Sequence, residues 1–164
     1  MAVPIRSSYW AAERLLAGEY PGSWDAAEAT RRLRAFADHD VLLFVDLTHP
    51  ADGLEPYDGL LVPGARRVVH PIVDMGTPTI PHMTRILDDI DTTLEGGGTA
   101  YVHCWGGIGR TGTVVGCWLV RHGLDDGDPI GRIADLRRAI ADPWMPSPQT
   151  SAQRAMVTGW KRGR

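Results

Sequence analysis

Apolar positions along this 164-residue chain fall into short blocks that switch between continuous runs and helical spacing, the pattern of strands alternating with helices. Leu15 to Tyr20 reads as a short opening strand, ended by Pro21-Gly22. Asp25 and Glu28 then form a capping box. Ala26, Ala29, Leu33, Phe36 and Ala37 share one helical face, whereas Arg31, Arg32 and Arg34 lie off it. The helix is expected to cover a sheet and leave those arginines solvated. Val41 to Val45 is unbroken by polar residues, as a strand buried on both faces requires, and a further strand is expected around Arg67 to His70.

From Pro81 onward, Met83, Ile86, Leu87, Ile90 and Leu94 recur at helical spacing until Gly96-Gly97-Gly98 stops the helix. Thr99 to His103 is the next strand, and Val114 to Val120 is apolar on every side, as a helix lying against a sheet must be. Gly123 ends it. Asp128-Pro129 supplies an N-cap and first-turn proline for a helix through Ile133, Leu136 and Ile140, and a last helix starts near Pro148. The alternation predicts an α/β fold: a mostly parallel sheet of four or five strands flanked by helices, in one domain spanning residues 1–164. His49 to Ala65, punctuated by proline and glycine, is a connection of functional length and is expected beside the site.

Composition narrows the function only slightly. The net charge is −3 and 23% of residues are charged, so nothing favours a nucleic-acid partner, although an enzyme for anionic substrates can concentrate positive potential locally. Met1 to Glu13 shows no basic segment followed by an apolar stretch, and no apolar run approaches a membrane span. The expectation is a cytoplasmic protein without a membrane partner. Two cysteines, Cys104 and Cys117, cannot make a disulfide framework, and a thiolate nucleophile needs a reducing compartment. Lys161 to Arg164 is too short a basic run to be more than a solvating tail.

The chemistry is concentrated in Val102-His103-Cys104-Trp105-Gly106-Gly107-Ile108-Gly109-Arg110-Thr111-Gly112-Thr113. Glycines between a strand and a helix let successive backbone N–H groups of Trp105, Gly106, Gly107, Ile108 and Gly109 turn inward as an anion nest at a positive helix N-terminus. Cys104 at its floor is a nucleophile, and Arg110 can clamp two phosphate oxygens with parallel donors, which lysine cannot. The nest, the helix terminus and Arg110 all favour the thiolate. Thr111 carries a hydroxyl able to reach Cys104. A cysteine packed in an ordinary strand-to-helix turn would need neither the arginine nor the glycines.

This segment resembles the signature loop of the cysteine-dependent protein tyrosine and dual-specificity phosphatases: His-Cys, five residues, then Arg and Ser or Thr. The resemblance extends from about Leu15 to Gln153. It implies the protein tyrosine phosphatase fold and a two-step hydrolysis without metal or cofactor: Cys104 attacks phosphorus, and water then attacks the phosphocysteine. His103 matches the histidine that orients the loop and tunes the thiol rather than acting as a base. Expelling an alkoxide or phenoxide needs a proton donor, and Asp74, in the loop His70 to Pro78, is the candidate. Its Pro-Ile-x-Asp-x-x-x-Pro setting is similar to the acid loop of the cyclin-dependent-kinase-associated type. Asp46 ends a buried strand and is expected to hold backbone, while Asp88, Asp89 and Asp91 lie in a helix. No Trp-Pro-Asp precedes the acid and no phosphotyrosine-recognition segment is visible, which favours a shallow pocket and broad specificity.

Gln149 and Gln153 resemble the family's late glutamines, placed near the water of the second step, though a solvent-facing pair reads equally well. Cys117 is expected in the core, with protection of an oxidised Cys104 by disulfide as the alternative. Trp105, and Trp144 in the Asp142 to Ser147 connection, could wall a phosphotyrosine ring or simply pack. No lysine stands between Cys104 and Arg110, whereas relatives acting on multiply phosphorylated inositides commonly carry basic residues there. The expected activity is hydrolysis of phosphotyrosine, and of phosphoserine or phosphothreonine, in phosphorylated protein substrates. Alternatives are a phosphatase for inositol phosphates, nucleotides or RNA 5′ ends, and a phospho-reader without turnover. An arsenate reductase or sulfurtransferase would reuse an anion loop but would not need the acid loop or Thr111.

Overall fold

The computed structural model describes residues 1–140 and 143–164. Its five strands are β1 (Ser8–Ala12), β2 (Leu15–Gly18), β3 (Val41–Asp46), β4 (Arg66–Val69) and β5 (Thr99–His103), in the spatial order β1-β2-β5-β3-β4. All neighbours run parallel except the β1–β2 hairpin. The helices are α1 (Ala26–Ala37), α2 (Ile80–Glu95), α3 (Gly109–His122), α4 (Pro129–Leu136) and α5 (Ser151–Thr158). This is the expected α/β architecture, with one strand added at the edge, α4 stopping at Leu136, before Ile140, and α5 starting at Ser151, shortly after Pro148.

Alternation along the strands distributes side chains to two cores. Leu15, Ala17, Leu43, Val45, Ala100 and Val102 point toward α2, α3, α4 and α5, while Leu16, Val41, Phe44 and Tyr101 meet Leu33 and Phe36 of α1. Phe36 packs on Tyr101 with ring centroids 4.3 Å apart. Leu42 breaks the expected two-sided burial: it is 42% exposed, because the β3–β5 register shifts between Val41 and Leu43 and turns it outward. Arg32 also departs from expectation. It is mostly buried, donating to the Glu19 carboxylate at 2.7 Å and the Tyr20 carbonyl at 3.0 Å.

Caps set the helix starts: the Asp25 carboxylate accepts from the Glu28 N–H, Thr79 from His82, Asp128 from Gly131 and Thr150 from Gln153. Helix α3 crosses the middle of the molecule, and Gly116 lets α5 approach so closely that an added Cβ would sit 2.6 Å from Val157. Gly18, Asp46 and His103 are register partners, so β2, β3 and β5 end level with one another. The crevice beyond the carboxyl ends of parallel strands is where such sheets place ligands.

Candidate active site

Helix α3 begins at Gly109 with Ile108 as its N-cap, and no side chain caps it. Its first N–H groups are therefore free to meet an anion at the positive end of the helix dipole. The preceding loop is held from several sides. The Tyr20 N–H donates to the Trp105 carbonyl at 2.8 Å and Ser147 Oγ to the Ile108 carbonyl at 2.7 Å. Gly107 has φ of +70° and lies against the Gly18 backbone. Cys104 sits at the floor, 3% exposed, and Thr111 Oγ1 donates to its Sγ at 3.1 Å.

Arg110 is buried but oriented toward the crevice. One terminal nitrogen donates to the Asp52 carboxylate at 2.7 Å and the Ile72 carbonyl at 3.0 Å. Its other terminal nitrogen is 3.3 Å from the Asp74 carboxylate, and Nε has no partner among the described residues. The side of the guanidinium carrying Nε and the second terminal nitrogen is thus the edge left for a bidentate oxyanion. Asp52 was not singled out from the sequence. It closes the 3₁₀ turn Pro50–Asp52, within the connection expected beside the site, and that expectation was its one available signal.

His103 supports the loop from beneath. Its Nδ1 lies 3.0 Å from the Cys104 carbonyl, which can only accept, so Nδ1 carries the proton; Nε2 then accepts from the Tyr57 hydroxyl at 2.5 Å. This neutral, fully bonded ring agrees with burial pushing the His103 pKa below its ordinary value, against the opposite pull of Asp46. Burial likewise keeps the Tyr57 phenol protonated. Asp46 binds both the Thr48 N–H and hydroxyl, and accepts from Arg67 at 2.8 Å. Burial raises its carboxyl, but His103, Thr48 and Arg67 outweigh this and hold it below the usual carboxylate range. Asp46 therefore organises the base of the site. Asp88 and Asp91 pair with Arg121, and Asp89 with His70, on the outside of α2.

Asp74 projects from a tight turn in which the Gly76 N–H donates to the Val73 carbonyl at 2.9 Å and Met75 takes φ of +64°. A non-glycine residue in that region is strained and is held there by its surroundings. One holder is Gln153. Completely buried, it donates from Nε2 to the Gly76 carbonyl at 3.1 Å, while its Oε1 accepts from the N–H groups of Gln149 and Thr150. Gln153 thus ties the Asp74 turn to the start of α5, and Gln149 reaches the crevice itself.

Asp74, Met75, Cys104, Trp105, Gly109, Arg110 and Gln149 line one pocket of about 250 Å³. Trp144 is 76% exposed and is not among its lining residues; Asp142, at the start of that connection, lies outside the described residues. Cys117 is fully buried in the core, where burial pushes its thiol pKa far up. Among the described residues, no group of His, Cys, Asp or Glu could hold a metal ion, and no helix is long and apolar enough to cross a membrane.

Comparisons with known proteins place the fold and the family. Tk-PTP in its active form matches with a TM-score of 0.73 at 23% identity, over 92% of this chain and 93% of that one. PTPMT1 in complex with PI(5)P matches with 0.72 at 20% identity, over 93% and 92%. These likenesses establish the fold. Human cyclin-dependent kinase inhibitor 3 is 39% identical over 51 residues, 31% of this chain and 24% of that protein. Putative tyrosine phosphatase 067L of invertebrate iridescent virus 3 is 32% identical over 121 residues, 70% of this chain and 45% of that one. The chain spans less than half the length of these relatives. A family model described as "Polymorphic toxin system, DSP-PTPase phosphatase" matches residues 19–124, well over half of the chain, which therefore belongs to that family of dual-specificity and tyrosine phosphatases.

Proposed function

We propose that residues 1–164 form a single phosphatase domain that hydrolyses phosphate monoesters on protein, phosphotyrosine first and phosphoserine or phosphothreonine with it, in a reducing, cytoplasmic setting. The observation that carries this reading is the convergence of Cys104, Arg110 and Asp74 on one pocket at an uncapped helix N-terminus. The phosphoryl group would sit in the nest with two oxygens on the edge of Arg110 that carries Nε and the second terminal nitrogen, taking the place of the Asp74 carboxylate there. Cys104 Sγ forms an S–P bond as the ester P–O bond breaks, and Asp74 gives its proton to the departing oxygen. Water then attacks phosphorus, giving a proton back to the Asp74 carboxylate, and the S–P bond breaks, with the Thr111 hydroxyl donating to the departing sulfur. Trp105, Gly106, Gly107, Ile108 and Gly109 bind the equatorial oxygens, His103 fixes the loop, and Gln149 faces the second-step water. Gln153 serves by holding Gln149 and the Asp74 turn.

The test is a Cys104→Ser chain used as a trap on a lysate, with the retained molecules identified. Retention of phosphotyrosine proteins, released by inorganic phosphate, supports the reading. Wild-type turnover retained by this variant would remove it. A second reading, a phosphoinositide substrate, is favoured by the structural match to PTPMT1 bound to PI(5)P. The loop from Trp105 to Gly109 offers no lysine to a second phosphate, and comparison of specificity constants for PI(5)P and a phosphotyrosine peptide separates the two.

A further inference from the structure

Trp105 stands between two hollows. It lines both the Cys104 pocket and a second hollow of about 220 Å³ bounded by Glu19, Tyr20, Trp24, Arg32 and Leu54. Trp24 is 74% exposed and Trp105 57% exposed. Two tryptophans left in water on the rim of one depression are costly unless something covers them, and tryptophan is the side chain that most often anchors a binding partner.

The polar groups of this hollow decide what covers them. Its cation, Arg32, is committed to Glu19 and to the Tyr20 carbonyl, so the floor is already neutralised. A second phosphate would meet a guanidinium whose charge Glu19 already offsets at 2.7 Å, which disfavours a polyphosphorylated headgroup as occupant. An apolar side chain would find two indole rings and Leu54. Two residues of extended chain span about 7 Å and return the side chain to the same face, so a peptide can present one side chain to each of two hollows that share Trp105.

Resting on the phosphatase reading above, we infer that the Trp24–Trp105 hollow is a specificity subsite for an apolar or aromatic side chain two residues from the phosphorylated residue of a protein substrate. The backbone position of the Trp105 wall is fixed by its hydrogen bond from Tyr20, so the subsite is continuous with the phosphate loop.

The experiment compares kcat/KM for short phosphotyrosine peptides carrying phenylalanine or glycine two positions before or after phosphotyrosine, with p-nitrophenyl phosphate and PI(5)P alongside. The wild-type chain should favour phenylalanine on one side by about tenfold, the scale of filling an apolar pocket. Trp24→Ala should reduce that preference to less than about twofold while hydrolysing p-nitrophenyl phosphate at the wild-type rate, and Trp24→Phe should restore most of it. Trp24 is exposed, so truncation leaves the fold in place, and unchanged p-nitrophenyl phosphate turnover verifies this. A wild-type chain that cleaves p-nitrophenyl phosphate without side-chain preference, keeps its preference in Trp24→Ala, or selects PI(5)P over every peptide overturns the subsite alone. Failure to cleave any of these phosphates overturns the phosphatase reading itself.

Discussion

Arg110 and Asp52 meet at 2.7 Å with their side chains only 2% and 6% exposed, although one opens α3 and the other ends a 3₁₀ turn far upstream. The contact occupies one end of the guanidinium and so determines which edge faces the pocket. A charge-assisted bond of this kind contributes about 1.5–3 kcal/mol. Asp52→Asn should therefore lower kcat/KM by about 10- to 100-fold, weaken competitive inhibition by inorganic phosphate, and lower the thermal midpoint by several degrees, about 2–4 °C per kcal/mol lost. Tighter phosphate inhibition in this variant would instead make Asp52 a mere counter-charge.

Arg110→Lys should cost more, on the order of a hundredfold or beyond in kcat, because an ammonium cannot replace two parallel donors to the transferring phosphoryl group. Steady-state kinetics on p-nitrophenyl phosphate decides. Activity near wild type would make Arg110 structural, held for Asp52 and the Ile72 carbonyl alone.

Asp74→Asn should slow substrates with poor leaving groups by about 10²- to 10⁴-fold and those with good ones much less. A series of aryl phosphates of graded phenol acidity reads this directly. A uniform loss across the series would assign the Asp74 turn a role other than proton donation.

Two acid-sensitive groups lie beneath the loop, and their signs agree. His103 has its folded pKa below the ordinary 6.5, so the unfolded chain binds its proton first, and this stability is complete above that value and is lost as pH falls below it. Asp46 is held below the ordinary 3.8, so its contribution is present above that value and disappears as pH falls further. Urea denaturation should show stability declining from pH 7 toward pH 5, by at most about 1.4 kcal/mol per pH unit for the one proton of His103. His103→Gln should reduce that slope. An unchanged slope would mean that His103 is protonated in the fold.

How much of this was legible follows from the range of the interactions. The phosphate loop, β3, β5, α2 and α3 were readable because glycines, caps and apolar periods act within a few residues. The strand β1 was not: Ser8–Ala12 is a strand through pairing with β2, and its short mixed sequence carries no period of its own. Asp52, Tyr57 and Arg32 escaped for a related reason, since each acquires its partner across the fold rather than along the chain. Gln153 could be named from the resemblance, yet its attachment to the Gly76 carbonyl is visible only once α5 docks beside the Asp74 turn.

The two adjacent glycines of the phosphate loop should behave oppositely under the same substitution. At Gly107 an added Cβ would lie 2.3 Å from the Gly18 carbonyl carbon and 2.6 Å from the Glu19 nitrogen, both backbone atoms that cannot swing aside, and its φ of +70° already disfavours alanine. At Gly106 the nearest atom would be the end of the Ile108 side chain at 3.7 Å, an ordinary contact. Gly107→Ala must therefore push the loop off β2 and spoil the aim of its N–H groups, whereas Gly106→Ala leaves them in place. Expected outcomes are a loss of at least about a hundredfold in kcat/KM for Gly107→Ala, the scale of removing one preorganised donor, and a change of less than about tenfold for Gly106→Ala. Competitive inhibition by inorganic phosphate should fail in the first and persist in the second. Equal losses in both variants would show that the loop tolerates no added atom anywhere, and that contact with the Gly18 backbone is not what shapes it.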